Sequence, residues 1–157
     1  MLVKEAAKQA AVRTLEEYWD GSFPIDPVAI AEAHDIEVQF TPLVAGVSGA
    51  ILAEPGEVVI VIDETENYGR QMFTCAHELG HYIERKDSGD EEFSFVERRT
   101  QKYDLHELYA DEFAGNLLMP EDEFREQLTA SDSVYLAASH FGVSPLAIEK
   151  RKERLGF

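Results

Sequence analysis

His77-Glu78-Leu79-Gly80-His81 is the stretch of this 157-residue chain whose residue types and spacing can do chemistry. On a helix, residues four apart stand one turn above each other on one face, so both imidazoles can reach a single ion. Glu78 is turned about 100° from His77, near enough to bond to a water on that ion without displacing it. Zinc lowers the pKa of its water toward about 7, and a neighbouring carboxylate takes the proton as the oxygen attacks a carbonyl. The competing reading is a surface helix with two unrelated histidines and a solvated glutamate. Context weakens it: the β-branched run 58–62 just upstream can anchor the site as a buried strand, and Ala76 and Gly80 allow close packing of the helix that carries it.

A catalytic zinc needs a third protein ligand and an open fourth position. His106, Glu107, Asp111 and Glu112 are the candidates on a downstream helix. Glu107 and Asp111 are four apart and share a face with Ala114 and Leu118, as they would if one bound the ion and the other supported a ligand from behind. His106 and Glu112 point elsewhere on that helix, and any one of these groups taken alone reads as solvated.

The elements that must position these groups follow from periodicity. Residues 2–19 have helical spacing without Gly or Pro, and Asp26-Pro27 caps a short helix over 28–33. Residues 36–40, 47–52 and 58–62 read as three strands, the last central. A long helix spans 66–85, a charged Ser/Gly/Asp-rich loop covers 86–103, and helix returns over 104–119 until Pro120. A further helix is expected over 121–128, then a pair over 133–141 and 145–155 joined through Gly142-Val143-Ser144. The fold class is α+β in one domain, residues 1–157, with a core over 24–120 and a helical extension over 121–157.

Asp and Glu number 31 against 14 Lys and Arg, a net charge of −17, while 45% of residues are apolar. That is an acidic globular chain, disfavoured as a non-specific binder of nucleic acid or anionic lipid. The single cysteine, Cys75, permits no internal disulfide, and the Met-Leu-Val-Lys-Glu start has no apolar leader. With no run long enough to span a bilayer, a soluble cytoplasmic protein is the expectation. Cys75 lies away from the histidine face and reads as a buried, inert thiol.

The segment Phe73-Thr74-Cys75-Ala76-His77-Glu78-Leu79-Gly80-His81, followed by Glu107-Leu108-Tyr109-Ala110-Asp111-Glu112-Phe113-Ala114-Gly115-Asn116-Leu117-Leu118-Met119-Pro120, resembles the ImmA/IrrE family of zinc metallopeptidases. Pro24-Ile25-Asp26-Pro27 with Ile30-Ala31, and Val47-Ser48-Gly49-Ala50-Ile51, are similar to it too, so the resemblance covers about residues 24–120. It implies a gluzincin-like site: His77, His81 and Glu107 as Zn2+ ligands, Glu78 as general base and acid, and Asp111 orienting His77. The three strands read above would form a small sheet packed against zincin-type helices. The implied substrate is a protein, such as a helix-turn-helix repressor cleaved in a stress response or in control of a mobile element. Tyr109 stands where a second acidic residue is frequent in the family, and His106 precedes the ligand; both bear on how the site is lined. The alternative is a zinc-stabilised module that binds a transcription factor or DNA without cutting.

Cleavage also needs a donor for the tetrahedral oxyanion, for which Tyr103, Tyr109, His106 and Arg70 are candidates. The Gly-bracketed run 47–52 is a candidate sheet edge for pairing with an extended substrate. Lys150, Arg151, Lys152 and Arg154 form the one basic patch and read as the outer face of a packing helix; direct nucleic-acid binding is not expected. The acidic run Glu54, Glu57, Asp63, Glu64, Glu66 is a candidate source of a field that steers a cationic substrate.

Overall fold

The computed structural model describes residues 2–100 and 102–157; Met1 of the N-terminal pentapeptide and Gln101 of the expected loop lie outside them. Helix α1 is Val3–Tyr18 and α2 is Pro27–Ala33, whose N-cap Asp26 accepts bonds from the amides of Val28 and Ala29. Strands β1 Ile36–Thr41, β2 Val47–Glu54 and β3 Glu57–Asp63 follow. Helix α3, Tyr68–Asp87, starts on Asn67, which accepts from the Arg70 amide. Strand β4, Phe93–Arg98, then precedes α4, Leu105–Leu118, capped by Asp104. Helices α5 Glu121–Ala130, α6 Val134–Phe141 and α7 Pro145–Leu155 complete the described residues.

The sheet order is β1-β3-β2-β4, with β1 parallel to β3 and the other pairs antiparallel. The α+β architecture is the expected one, with two differences. A fourth strand lies inside the segment read as a loop, and that strand, not β2, forms the edge on this side. Phe93-Ser94-Phe95-Val96-Glu97-Arg98 does alternate, and its burial alternates with it. The run is only three periods long, and its third inward position is an acid, so periodicity alone does not separate it from the charged sequence around it. Its stability comes from pairing with β2, whose partner residues lie 40–51 positions earlier in sequence.

One face of the sheet packs on α3, and α1 and α4 pack on α3 and each other around a core that includes Ile51, Ile60, Ile62, Leu79, Phe113 and Leu117. Two glycines set the spacing at this junction. A Cβ on Gly49 of β2 would stand 2.5 Å from Thr74 Cγ2, and one on Gly80 would stand 3.1 Å from Ala110 Cα and the Phe113 side chain. β2 can therefore lie close against α3, and α3 against α4, which brings the two motif-bearing helices together.

Candidate metal centre

His77 and His81 lie one turn apart on α3, both fully buried, with ring centroids 4.9 Å apart. Glu107, in the first turn of α4, faces both: its Oε2 is 2.9 Å from His77 Nε2 and its Oε1 is 3.2 Å from His81 Nε2. Asp111, one turn further along α4, stands behind, with Oδ1 2.8 Å from His77 Nδ1. The Tyr103 hydroxyl donates to Asp111 Oδ2 at 2.7 Å. Phe95 of β4 stacks on the His81 ring, with 3.9 Å between centroids and 4° between planes, which fixes that imidazole. Two residues on, Glu97 points to the same face of β4 and places Oε2 2.8 Å from His77 Nε2. The ladder between β2 and β4 shifts register between Val47 and Gly49, opposite Glu97 and Arg98. Such an irregularity bends a strand and re-aims its side chains.

Burial works against the charged form of His77, but the bonds to Asp111, Glu107 and Glu97 outweigh it and hold the ring's pKa well above its ordinary value. Burial lowers His81, with the Glu107 bond opposing it. Burial pushes the Glu78 carboxyl up to about 8, with the neighbouring carboxylates adding to it and His77 opposing. Glu107 and Asp111 are both disfavoured as anions by burial, yet their histidine bonds bring them below the usual carboxylate range.

The polar atoms here are under-satisfied in a way that points to a cation. Both oxygens of Glu78, both ring nitrogens of His81 and Oε2 of Glu97 are buried without an aligned hydrogen bond. The His77 Nε2 position carries at most one hydrogen but faces two carboxylates. Ligand atoms of His77, Glu78 and His81, and those of His77, Glu97 and Glu107, lie within 4.8 Å of one another. An ion among them would supply the missing charge and coordination, and the nitrogen and carboxylate donors suit zinc. The residues present fit a zinc site.

The structure thus brings together all five of the residues singled out, His77, Glu78, His81, Glu107 and Asp111. His106 pairs instead with Glu84 at 2.7 Å, and Glu112 with Arg154 at 2.6 Å. Of the oxyanion-donor candidates, Tyr109 is buried in the core, Tyr103 is committed to Asp111, and Arg70 lines the cavity beside the site. Cys75 is fully buried and its thiol pKa is raised by that burial, as expected of an inert group. Glu97 and Phe95 were missed; the alternation Phe93, Phe95, Glu97 was the available signal.

A cavity of about 230 Å³ opens on this centre. His77, Glu97 and Asp111 line one side, and α7 contributes Leu146, Ala147 and three cations to the other. The basic patch therefore does not share one outer face: Arg151 is only 3% exposed.

A helix-borne H-E-x-x-H motif faces a glutamate of the next helix on an α+β scaffold, and the family that the chain matches makes this a metallopeptidase-type fold. Residues 31–153 match the Peptidase_M78 family, described as the IrrE N-terminal-like domain, and the chain belongs to that family. The match runs beyond residue 120 to take in α5, α6 and nearly all of α7. No curated protein matches the chain. Among solved structures, a Mycobacterium tuberculosis transcriptional regulator shares the fold, with a TM-score of 0.63 at 18% identity. The similarity covers 92% of this chain and 45% of that one, so the chain spans less than half the regulator's length. Among the described residues, no helix is long and apolar enough to cross a membrane.

Proposed function

We propose that the chain is a zinc-dependent endopeptidase of the cytoplasm that cleaves a protein regulator, with a helix-turn-helix repressor as the expected substrate class. The observation that carries this reading is Glu78: a fully buried carboxylate with both oxygens unpartnered, grouped with His77 and His81, both of which Glu107 faces. A structural glutamate would not be retained there without a partner. His77, His81 and Glu107 would hold the ion, which supplies an acidified water and polarises the scissile carbonyl.

The chain's own groups divide the remaining work. Asp111 accepts from His77 Nδ1–H and so leaves Nε2 free to face the ion. Glu78, a buried carboxylate with no other partner for its oxygens, takes a proton from the attacking water and returns it to the leaving amine. Phe95 shields His81 from water. Membership of the IrrE-like peptidase family and the likeness to a Mycobacterium tuberculosis transcriptional regulator both support a place in transcriptional control.

The test is incubation of the zinc-loaded protein with the helix-turn-helix regulator encoded beside its gene. Glu78→Gln is expected to retain zinc while cleavage falls at least about a hundredfold; a variant that still cuts at the wild-type rate contradicts the reading. One observation favours a second reading, a zinc-stabilised interaction module. Glu97 stands as close to His77 Nε2 as Glu107 does, and four protein ligands are the mark of a structural site. Function in cells undiminished by Glu78→Gln would favour it.

A further inference from the structure

The cavity beside the metal centre carries an unusual charge for so acidic a chain. Its acids, Glu97 and Asp111, are both engaged by His77. Its cations are Arg70, Lys150, Arg151 and Arg154. Arg70 is paired with Glu66 at 3.3 Å and Arg154 with Glu112 at 2.6 Å. Lys150 and Arg151 contact no carboxylate among the described residues.

Arg151 is the informative member. It is 3% exposed, and its guanidinium is bonded only to neutral acceptors: Nε donates to the Met119 carbonyl at 3.1 Å and Nη2 to Asn116 Oδ1 at 3.0 Å. Nη1 has no hydrogen-bond partner among the described residues, and it is not sealed off from solvent as the orphaned atoms of the metal centre are. A Cβ on Gly115, which also lines the cavity, would come within 3.9 Å of this nitrogen. Two bonds anchor the group, and a third donor is left at the cavity wall. Glu112 and Glu121 act on it only from beyond contact distance; a guanidinium desolvated to this extent is ordinarily matched by an anion in contact, and its fork geometry suits a carboxylate.

We propose that Arg151, with Lys150 at the rim, forms a subsite for a carboxylate of the peptide that occupies the cavity, either an acidic side chain or a C-terminal carboxylate. The proposal rests on the metal-centre reading and adds a substrate preference to it. A peptide held at His77 and Glu78 can extend across the cavity toward α7, where its negative charge meets the two unpaired cations. The subsite is a specificity determinant and takes no part in the proton transfers assigned to Glu78.

The experiment uses three hydroxamates of nearly equal size on the zinc-loaded wild-type protein, with binding measured by calorimetry. Succinic monohydroxamate is coupled to glutamine amide, to glutamic acid α-amide or to free glutamine; the hydroxamate anchors each at the ion. At low salt, at least one of the two carboxylate-bearing compounds is expected to bind about tenfold or more tightly than the neutral one. Which of them does so tells a side-chain carboxylate from a terminal one. The preference is expected to shrink as salt rises and to be lost in Arg151→Met. Lys150→Glu, at an exposed position without a salt bridge among the described residues, is expected to reduce it severalfold, so the result does not hinge on whether Arg151→Met folds. Equal affinity for all three compounds, or a preference untouched by Lys150→Glu, overturns the proposal. Failure of every hydroxamate to bind would instead count against the metal centre itself, and the subsite would fall with it.

Discussion

Both ring nitrogens of His77 face carboxylates, Nδ1 toward Asp111 and Nε2 toward Glu107 and Glu97. Nε2 is the ring nitrogen that would face an ion. That Glu107 and Asp111 share a face of α4 was legible from the helical period of 3.6; that they meet His77 was implied only by the family resemblance. Glu97 was not legible, because a strand's facing partner is decided by tertiary pairing that leaves no local trace. Its position separates two accounts of the site. If Glu97 faces the ion, Glu97→Gln lowers zinc affinity about tenfold or more, as read by competition with a chromophoric chelator. Unchanged affinity would mean that Glu97 merely borders the site. Asp111→Asn, which disturbs the His77 tautomer, is expected to cost about 10–100-fold in the same assay.

At the scale of elements, the site depends on how closely α4 approaches α3. Gly80 lies inside the motif, and its importance to packing was readable only as a small residue next to a histidine. The structure shows what the space is for: Ala110 backbone and the Phe113 ring occupy it at 3.1 Å from a would-be Cβ. Phe113 is fully buried and cannot yield easily. Gly80→Ala is therefore expected to destabilise the fold by about 1–3 kcal/mol. By prising the helices apart, it should also move Glu107 away from both histidines and weaken zinc binding. A variant with unchanged denaturation midpoint and unchanged zinc affinity would contradict this packing account. The edge strand was the other element out of reach. The Gly-bracketed run 47–52 looked like an edge because it is apolar and glycine-flanked, yet its glycine serves close approach to α3, and β4 covers it.

At the scale of the whole molecule, the charge of −17 is unevenly placed. The acidic run from Glu54 to Glu66 does not form one field at the cavity. Glu54 and Glu57 pair at the β2–β3 turn, at the far end of β2 from Gly49 and Glu97, and Glu66 is engaged by Arg70 and Arg99. Composition foretold an acidic globule but not where its cations gather, since Arg151 and Lys150 meet the site only through the docking of α7.

The same centre sets a pH dependence of stability without metal. His77 is raised above its ordinary value of 6.5, so its contribution is complete below about 6.5 and is lost as pH rises through its folded value. Glu78, raised to about 8, acts in the same direction, because the folded chain holds its proton from about pH 4.5 to 8 while the unfolded chain does not. Metal-stripped protein should therefore melt several degrees lower at pH 8.5 than at pH 6, and a flat or rising melting curve would contradict these protonation states. His81, lowered by burial, opposes this up to about pH 6.5, and Glu107 and Asp111, both lowered, oppose it only in acid, where stability falls as they protonate.

The proposed chemistry depends throughout on an ion at the meeting point of α3 and α4. The most direct measurement is anomalous diffraction at the zinc edge from crystals of the zinc-loaded protein. A single strong peak within bonding distance of His77 Nε2, His81 Nε2 and Glu107 is the expected result. A peak elsewhere, or none at this point in protein shown to be folded, would contradict the zinc-peptidase reading.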